Sequence, residues 1–173
     1  SLKLFKSSLV DLSLMMDKVG KIKDDFFLGF DCLKSLALGT SIKRIPNSIF
    51  KLKQLEKLTL GTSGNSHKIH FEIRKDNNSK IKYLDIPTDL SKKSVRSILN
   101  LTNLEKIQIF IGKKIPNYLK ELDGLENIVI IYLSSIESAR KISKIKRLLP
   151  NAKYKDFSKD NWNEADIVSY SDY

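Results

Sequence analysis

The side chains best suited to metal chemistry lie together near the middle of the chain, at His67, His70 and Glu72. Imidazole and carboxylate groups are ordinary zinc ligands, and these two histidines are the only ones in the sequence. A zinc site needs a complete ligand set, and neither a third histidine nor a pair of cysteines accompanies them. The sequence therefore does not predict a metal centre.

Nucleophilic and phosphate-binding motifs are also missing. The single cysteine, Cys32, precedes Leu33 without a histidine nearby to activate it, so we expect a partly buried small residue. No glycine pattern typical of nucleotide-binding loops or of a serine nucleophile occurs. We therefore expect neither an enzyme nor a cofactor.

Charge is distributed unevenly along the 173 residues. The formal net charge is +11, but residues 156–173 hold five carboxylates against Lys159, a net charge of −4, so the remainder carries +15. A basic body favours anionic partners in general. No apolar run is long enough to span a membrane. The low cysteine content suits the cytoplasm, while secretion stays open because the chain begins at Ser1 and an upstream signal could precede it.

An internal repeat determines which elements must position any functional group. The pattern of three apolar residues in Leu55-x-x-Leu58-x-Leu60 recurs, with imperfect first and last copies, at separations of 21 to 26 residues. Apolar residues two apart indicate a strand, and the apolar residues three apart that precede them indicate a helical or tight-turn segment. The copies begin at Leu9, Leu33, Leu55, Ile81, Leu104, Leu125 and Leu149.

This pattern resembles the leucine-rich repeat family, in its bacterial and plant-type form with Ile-Pro ahead of the return segment, as at Ile45-Pro46 and Ile115-Pro116. The resemblance implies an α/β fold: a right-handed β-α solenoid with a parallel sheet on the concave side and short helices or turns on the convex side. It also implies that equivalent residues occupy adjacent parallel strands, namely Leu36, Leu58, Leu84, Ile107 and Ile128. The chain departs from the family pattern in lacking the usual Asn or Cys after the third apolar position.

Three regions follow from the repeat. Residues 1–30 are expected to be an N-terminal cap or a degenerate first repeat, and residues 31–155 the repeats, closed by a helix over 134–149 and a final strand. Residues 156–173 are an acidic, aromatic tail, which we expect to dock back on the body rather than to lie disordered or to bind a partner. In the long third repeat, the alternation of Ile69, Phe71 and Ile73 predicts an extra strand on the return side.

A curved scaffold without chemistry of its own is typical of a protein-interaction module. Strand side chains that alternate with the core positions project from the concave face, and several of them are aromatic or aliphatic there. We expect a monomer that binds a protein partner through this face, unless its own tail covers the apolar patch. The alternative is a nucleic acid or another anionic surface, bound through Lys92-Lys93-Arg96 and Lys113-Lys114. The candidate partner-binding residues are Tyr83, Asp85, Lys106, Gln108, Phe110, Asn127, Val129 and Ile131.

Overall fold

A computed structural model describes residues 5–15, 20–39, 42–61, 68–87, 90–111, 115–125, 127–132 and 139–156. Two segments are short 3₁₀ helices, Asn47–Lys51 and Leu119–Leu122. The remaining elements, in chain order, are β1 Asp11–Leu14, β2 Gly20–Lys21, β3 Ser35–Leu38, β4 Ile42–Arg44, β5 Lys57–Leu60, β6 Tyr83–Ile86, α1 Lys92–Ile98, β7 Lys106–Ile111, β8 Ile128–Tyr132, α2 Ala139–Leu148 and β9 Lys153–Asp156.

Seven of the described strands form one parallel sheet in the order β1-β3-β5-β6-β7-β8-β9, with each strand beside the next strand of that series. The register joins equivalent positions of the repeat, because Leu36 pairs with Leu58, Leu58 with Leu84, Leu84 with Ile107, and Ile107 with Ile128. The prediction that these five residues lie on adjacent parallel strands is confirmed. The chain is an α/β protein with a parallel sheet and few helices.

The core lies between one face of this sheet and the connecting segments that return to it. Leu58 and Leu60 are 0% and 1% exposed, whereas the alternating Lys57 and Thr59 remain partly accessible. The return segments add Ile49 and Leu119, both fully buried, from the two 3₁₀ helices. Complete burial of each such side chain stabilises the fold by about 1.5–3 kcal/mol. The sheet and its connections are therefore held by one continuous apolar cluster.

The third connection differs from the prediction of an extra strand. Side chains do alternate, with Ile69, Phe71 and Ile73 buried, but the backbone forms only isolated parallel bridges. One bridge joins His70 to Arg44 at the end of β4, and the other joins Ile69 to Leu90. The predicted alternation of buried side chains is confirmed, whereas the predicted strand is wrong.

The reason lies in the connection that follows, which pairs with Ile69 at Leu90 and then turns into α1, so that it offers no further strand. The backbone N–H of Phe71 donates instead to Ser94 Oγ on α1, at 2.9 Å. Asn100, just beyond α1, donates from Nδ2 to the carbonyl oxygen of Ile73 at 2.7 Å. Side chains thus satisfy backbone groups that a neighbouring strand would otherwise pair.

Both ends of the sheet continue the repeat register. Within residues 1–30, β1 pairs with β3 so that Leu12 lies opposite Leu36. At the other end, β9 pairs with β8 so that Tyr154 lies opposite Ile130. Helix α2 lies within the predicted helix 134–149, whose start falls outside the described residues, as does the tail over 157–173. No helix in the described part of the chain has the length and apolar character needed to cross a membrane.

Candidate binding face of the sheet

The face of the sheet opposite the core, called here the open face, carries its side chains in rows set by the strand register. One row joins Lys57, Tyr83 and Lys106, which are direct neighbours on β5, β6 and β7. The next row along these strands joins Asp85 and Gln108. Since neighbouring parallel strands lie about 4.8 Å apart, each row brings side chains from distant parts of the sequence together.

Among the described side chains of this face, Tyr83 is an accessible aromatic group. The residue is 41% exposed, and its hydroxyl donates a hydrogen bond to Glu105 Oε2 at 3.1 Å. That hydrogen bond and the negative charge of Glu105 raise the pKa of Tyr83. The ring is therefore tethered at its hydroxyl end while much of its surface remains available to a partner, a combination frequent at interface anchors.

Beside the tyrosine, Asp85 is a buried carboxylate flanked by two cations. It is 9% exposed and accepts a hydrogen bond from Thr59 Oγ1 at 2.9 Å. Burial raises the pKa of Asp85, although the Thr59 hydroxyl and the charges of Lys57 and Lys106 oppose that shift. Burial also lowers the pKa of Lys57, with Asp85 acting in the opposite direction. This part of the open face is a compact network of charges.

Two candidate residues are more buried than an exposed patch requires. Asp85 is 9% exposed and Val129 is 5% exposed, although Val129 lies outside the main apolar cluster. Both have short side chains. Val129 lies in register between Gln108 and Lys153, whose longer chains flank it. The prediction of exposure at these two positions is wrong.

The remaining candidates differ in what the structure describes. Lys106 and Gln108 are half-buried, as partial accessibility on the open face requires. Asn127 is exposed just before β8 and adopts a left-handed backbone conformation with φ of 59°. Phe110 and Ile131 pair in register on β7 and β8, but only their backbone positions are described. Of the predicted apolar patch, the described side chains therefore include one that is exposed, Tyr83.

A row of side chains with alternating charge was not predicted from the sequence. Glu56, Lys82 and Glu105 each follow the first apolar residue of a repeat, so they occupy the same position in successive copies of the repeat. Lys82 Nζ lies 3.8 Å from Glu56 Oε1, and Glu105 holds the Tyr83 hydroxyl. Comparing this position across three consecutive copies shows the alternation directly.

The residues considered for metal or covalent chemistry do not form a site in the described part of the chain. His67 lies outside it, while His70 and Glu72 are exposed and Glu72 pairs with Lys93 at 2.9 Å. Among the described residues no group of three histidine, cysteine or acidic side chains could hold a metal ion. Cys32 is exposed in the turn before Leu33, so the expectation of partial burial is wrong.

The basic cluster that favoured an anionic partner is already engaged by carboxylates. Glu121 accepts from Arg96 Nε at 2.6 Å and lies 3.7 Å from Lys92 Nζ, while Lys93 pairs with Glu72. The Arg96 contact lowers the pKa of Glu121, and Lys93 lowers that of Glu72. These pairs reduce the positive potential available to an anion. Lys113 and Lys114 lie outside the described residues.

Comparisons with protein-family models, with curated proteins and with solved structures return no match for this chain.

Proposed function

We propose that the chain is a leucine-rich-repeat-type solenoid that binds a protein partner through its open face and performs no catalysis. The observation that carries the proposal is the pairing of equivalent repeat positions on consecutive parallel strands, from Leu36 through to Ile128. Stacked repeats of this kind give an extended surface that supports large contacts.

The centre of the proposed contact is Tyr83 with its neighbours Lys57, Lys106 and Gln108. These residues combine an accessible aromatic ring with charged and amide groups that can donate hydrogen bonds. The carboxylates of Asp85 and Glu105 lie among them, so the surface carries both signs of charge. Mixed polarity around an aromatic anchor supports a protein partner better than a uniformly anionic one.

The test compares two matched double variants in affinity capture at low and high salt. Tyr83→Ser with Lys106→Gln alters the open face, whereas Leu99→Ser with Lys144→Gln removes an exposed apolar side chain and a lysine from the return side. We expect the first pair to lose the captured partner and the second to retain it, with little dependence on salt. Loss in the second pair alone would exclude the open face.

Salt dependence also separates the proposal from its alternative. Binding of a nucleic acid or an anionic surface weakens by orders of magnitude as salt rises, because condensed counterions are released. Capture that disappears at high salt, and that free nucleic acid competes away at low salt, would favour the alternative. The ion pairs at Lys92, Lys93 and Arg96 argue against that cluster as its site.

A further inference from the structure

A cleft on the return side of the sheet brings together cations that are far apart in the sequence. Its volume is about 520 Å³, within the range of small-molecule sites, which is roughly 300–1,000 Å³. One wall comes from the first 3₁₀ helix and the residues after it, and the other from the irregular third connection. The lining residues are Asn47, Phe50, Lys51, Lys53, Glu72, Arg74, Asp76, Asn77, Asn78 and Lys80.

The cations of this cleft exceed its available anions. Lys51, Lys53, Arg74 and Lys80 are exposed and form no ion pair within the described residues. Of the two carboxylates, Glu72 pairs with Lys93 at 2.9 Å and also interacts with the charge of Arg74, while Asp76 is the second opposing charge, so four cations face two carboxylates. Like charges gathered around one cavity repel each other, and a bound anion removes that repulsion.

The cleft has one apolar lining residue, Phe50, which is packed in the core. Phe50 is 3% exposed and lies against Phe71 with ring centroids 5.5 Å apart.

The wall that carries Arg74 and Lys80 is held in place by Asn77. Its Nδ2 donates to the carbonyl oxygens of Arg74 and Asn100, and its Oδ1 accepts from the backbone N–H of Ser79. The turn that positions these two cations is thereby fixed to the following connection. A preorganised set of donors binds an anion with less loss of conformational freedom.

We propose that this cleft binds a small anion with two or more phosphate groups in succession, such as a diphosphate or triphosphate moiety. Four cations on two walls exceed what a single phosphate group needs, and arginine matches phosphate oxygens in a bidentate geometry. The amide groups of Asn47 and Asn78 supply further neutral donors. The site is separate from the open face and does not depend on the protein-binding proposal.

The first experiment titrates the intact chain with sodium tripolyphosphate by calorimetry, in a phosphate-free buffer at low salt. We expect a single site with a dissociation constant below about 1 mM, a threshold that corresponds to roughly −4 kcal/mol. Arg74→Gln with Lys80→Gln should weaken binding at least tenfold. The control Lys34→Gln with Lys144→Gln removes the same charge from exposed positions elsewhere and should change affinity less than twofold.

The second experiment tests for a gain of affinity for tripolyphosphate. Asp76→Asn removes the opposing carboxylate without adding bulk and should tighten tripolyphosphate binding several-fold. All substituted positions are exposed, so thermal unfolding monitored by circular dichroism should stay close to that of the parent chain. A short oligonucleotide in the same assay distinguishes a free polyphosphate from a nucleic-acid backbone.

Two results would overturn the proposal: absence of tripolyphosphate binding by the parent chain, whether or not the oligonucleotide binds, or equal weakening in the cleft and control pairs. Selective weakening in the cleft pair together with tightening by Asp76→Asn would establish it.

Discussion

Replacement of Asn77 by alanine tests whether one side chain holds the irregular third connection in place. The amide makes three hydrogen bonds: Nδ2 donates to Arg74 O at 2.5 Å and to Asn100 O at 2.9 Å, and Oδ1 accepts from Ser79 N at 3.1 Å. Asn77→Ala removes all three. The neighbouring Asn78 is exposed and makes no hydrogen bond within the described residues, so Asn78→Ala is the matched control.

The expected loss of stability follows from these contacts. Each intramolecular hydrogen bond contributes about 0.5–1.5 kcal/mol net to stability. Because Asn77 is half-buried, water can reach some of the backbone groups that the substitution leaves without a partner. We expect Asn77→Ala to lower the free energy of unfolding by about 1.5–3 kcal/mol. For a chain of this size that corresponds to a fall in Tm of roughly 3–12 °C.

Urea denaturation followed by circular dichroism measures the difference between the two variants. The control should lie within about 0.5 kcal/mol of the parent, as is usual for an exposed substitution. If Asn77→Ala unfolds at the same midpoint as Asn78→Ala, the three hydrogen bonds contribute nothing to stability, and the argument that this turn is rigid is wrong.

Three further substitutions test the core, a buried hydroxyl and the buried carboxylate. Leu84→Ala, at a residue 1% exposed, should lower the free energy of unfolding by about 2–5 kcal/mol in urea denaturation, whereas Leu99→Ala, at a residue 47% exposed, should change it by less than about 1 kcal/mol. Ser48 buries a hydroxyl without a hydrogen-bond partner among the described residues, so Ser48→Ala should raise Tm slightly; a clear fall would show that the hydroxyl is paired. Burial raises the pKa of Asp85, which disfavours its ionised form in the folded state, so the contribution of Asp85 to stability falls as pH rises from 3.8, the ordinary value, through the folded pKa. Asp85→Asn should remove this fall. The assignment would be contradicted if the difference in Tm between about pH 4 and pH 7 were the same in the variant as in the parent chain.

The strand register could be predicted from the sequence because two periodicities act together. The alternation within each copy determines which side chains face the core, and the recurrence of the copies determines which residues meet on neighbouring strands. A shift of the register by one residue would pair Leu58 with positions whose side chains, like that of Thr59, face away from the core. The row of apolar side chains would then be exposed. The pairing of Leu36 with Leu58 and of Leu58 with Leu84 is the arrangement that avoids this loss.

Burial on the open face could not be predicted in the same way. Alternation places Asp85 and Val129 on that face, but their exposure depends on the length of the side chains beside them on other strands. Those neighbours are Thr59 and Gln108 for the first residue and Gln108 and Lys153 for the second. A periodic pattern carries no information on how far a neighbouring lysine or glutamine leans across the sheet.

The backbone structure of the third connection depends on the connection that follows it. An alternating segment becomes a strand only when a neighbouring backbone offers free N–H and C=O groups. Here α1 presents Ser94, and Asn100 follows it, so residues 71–73 bond to side chains. The cationic cleft could not be predicted for a related reason. Lys51 and Arg74 line the same cleft only because the folded chain brings two successive connections side by side.

The irregular third connection adds the cationic cleft to the fold without interrupting the parallel sheet. Strand β3 pairs with β5 over four residues, whereas β5 pairs with β6 over three, ending at Thr59 with Asp85. The longest separation between repeats is thus accommodated with the loss of one register pair, while the added residues lie on the return side. Closure entropy rises only slowly with loop length, so lengthening a connection costs little when both flanking strands keep their apolar pairing. The cleft is then a consequence of the extra length. Its chemistry can change through Arg74 and Lys80 while Leu58 and Leu84 maintain the register.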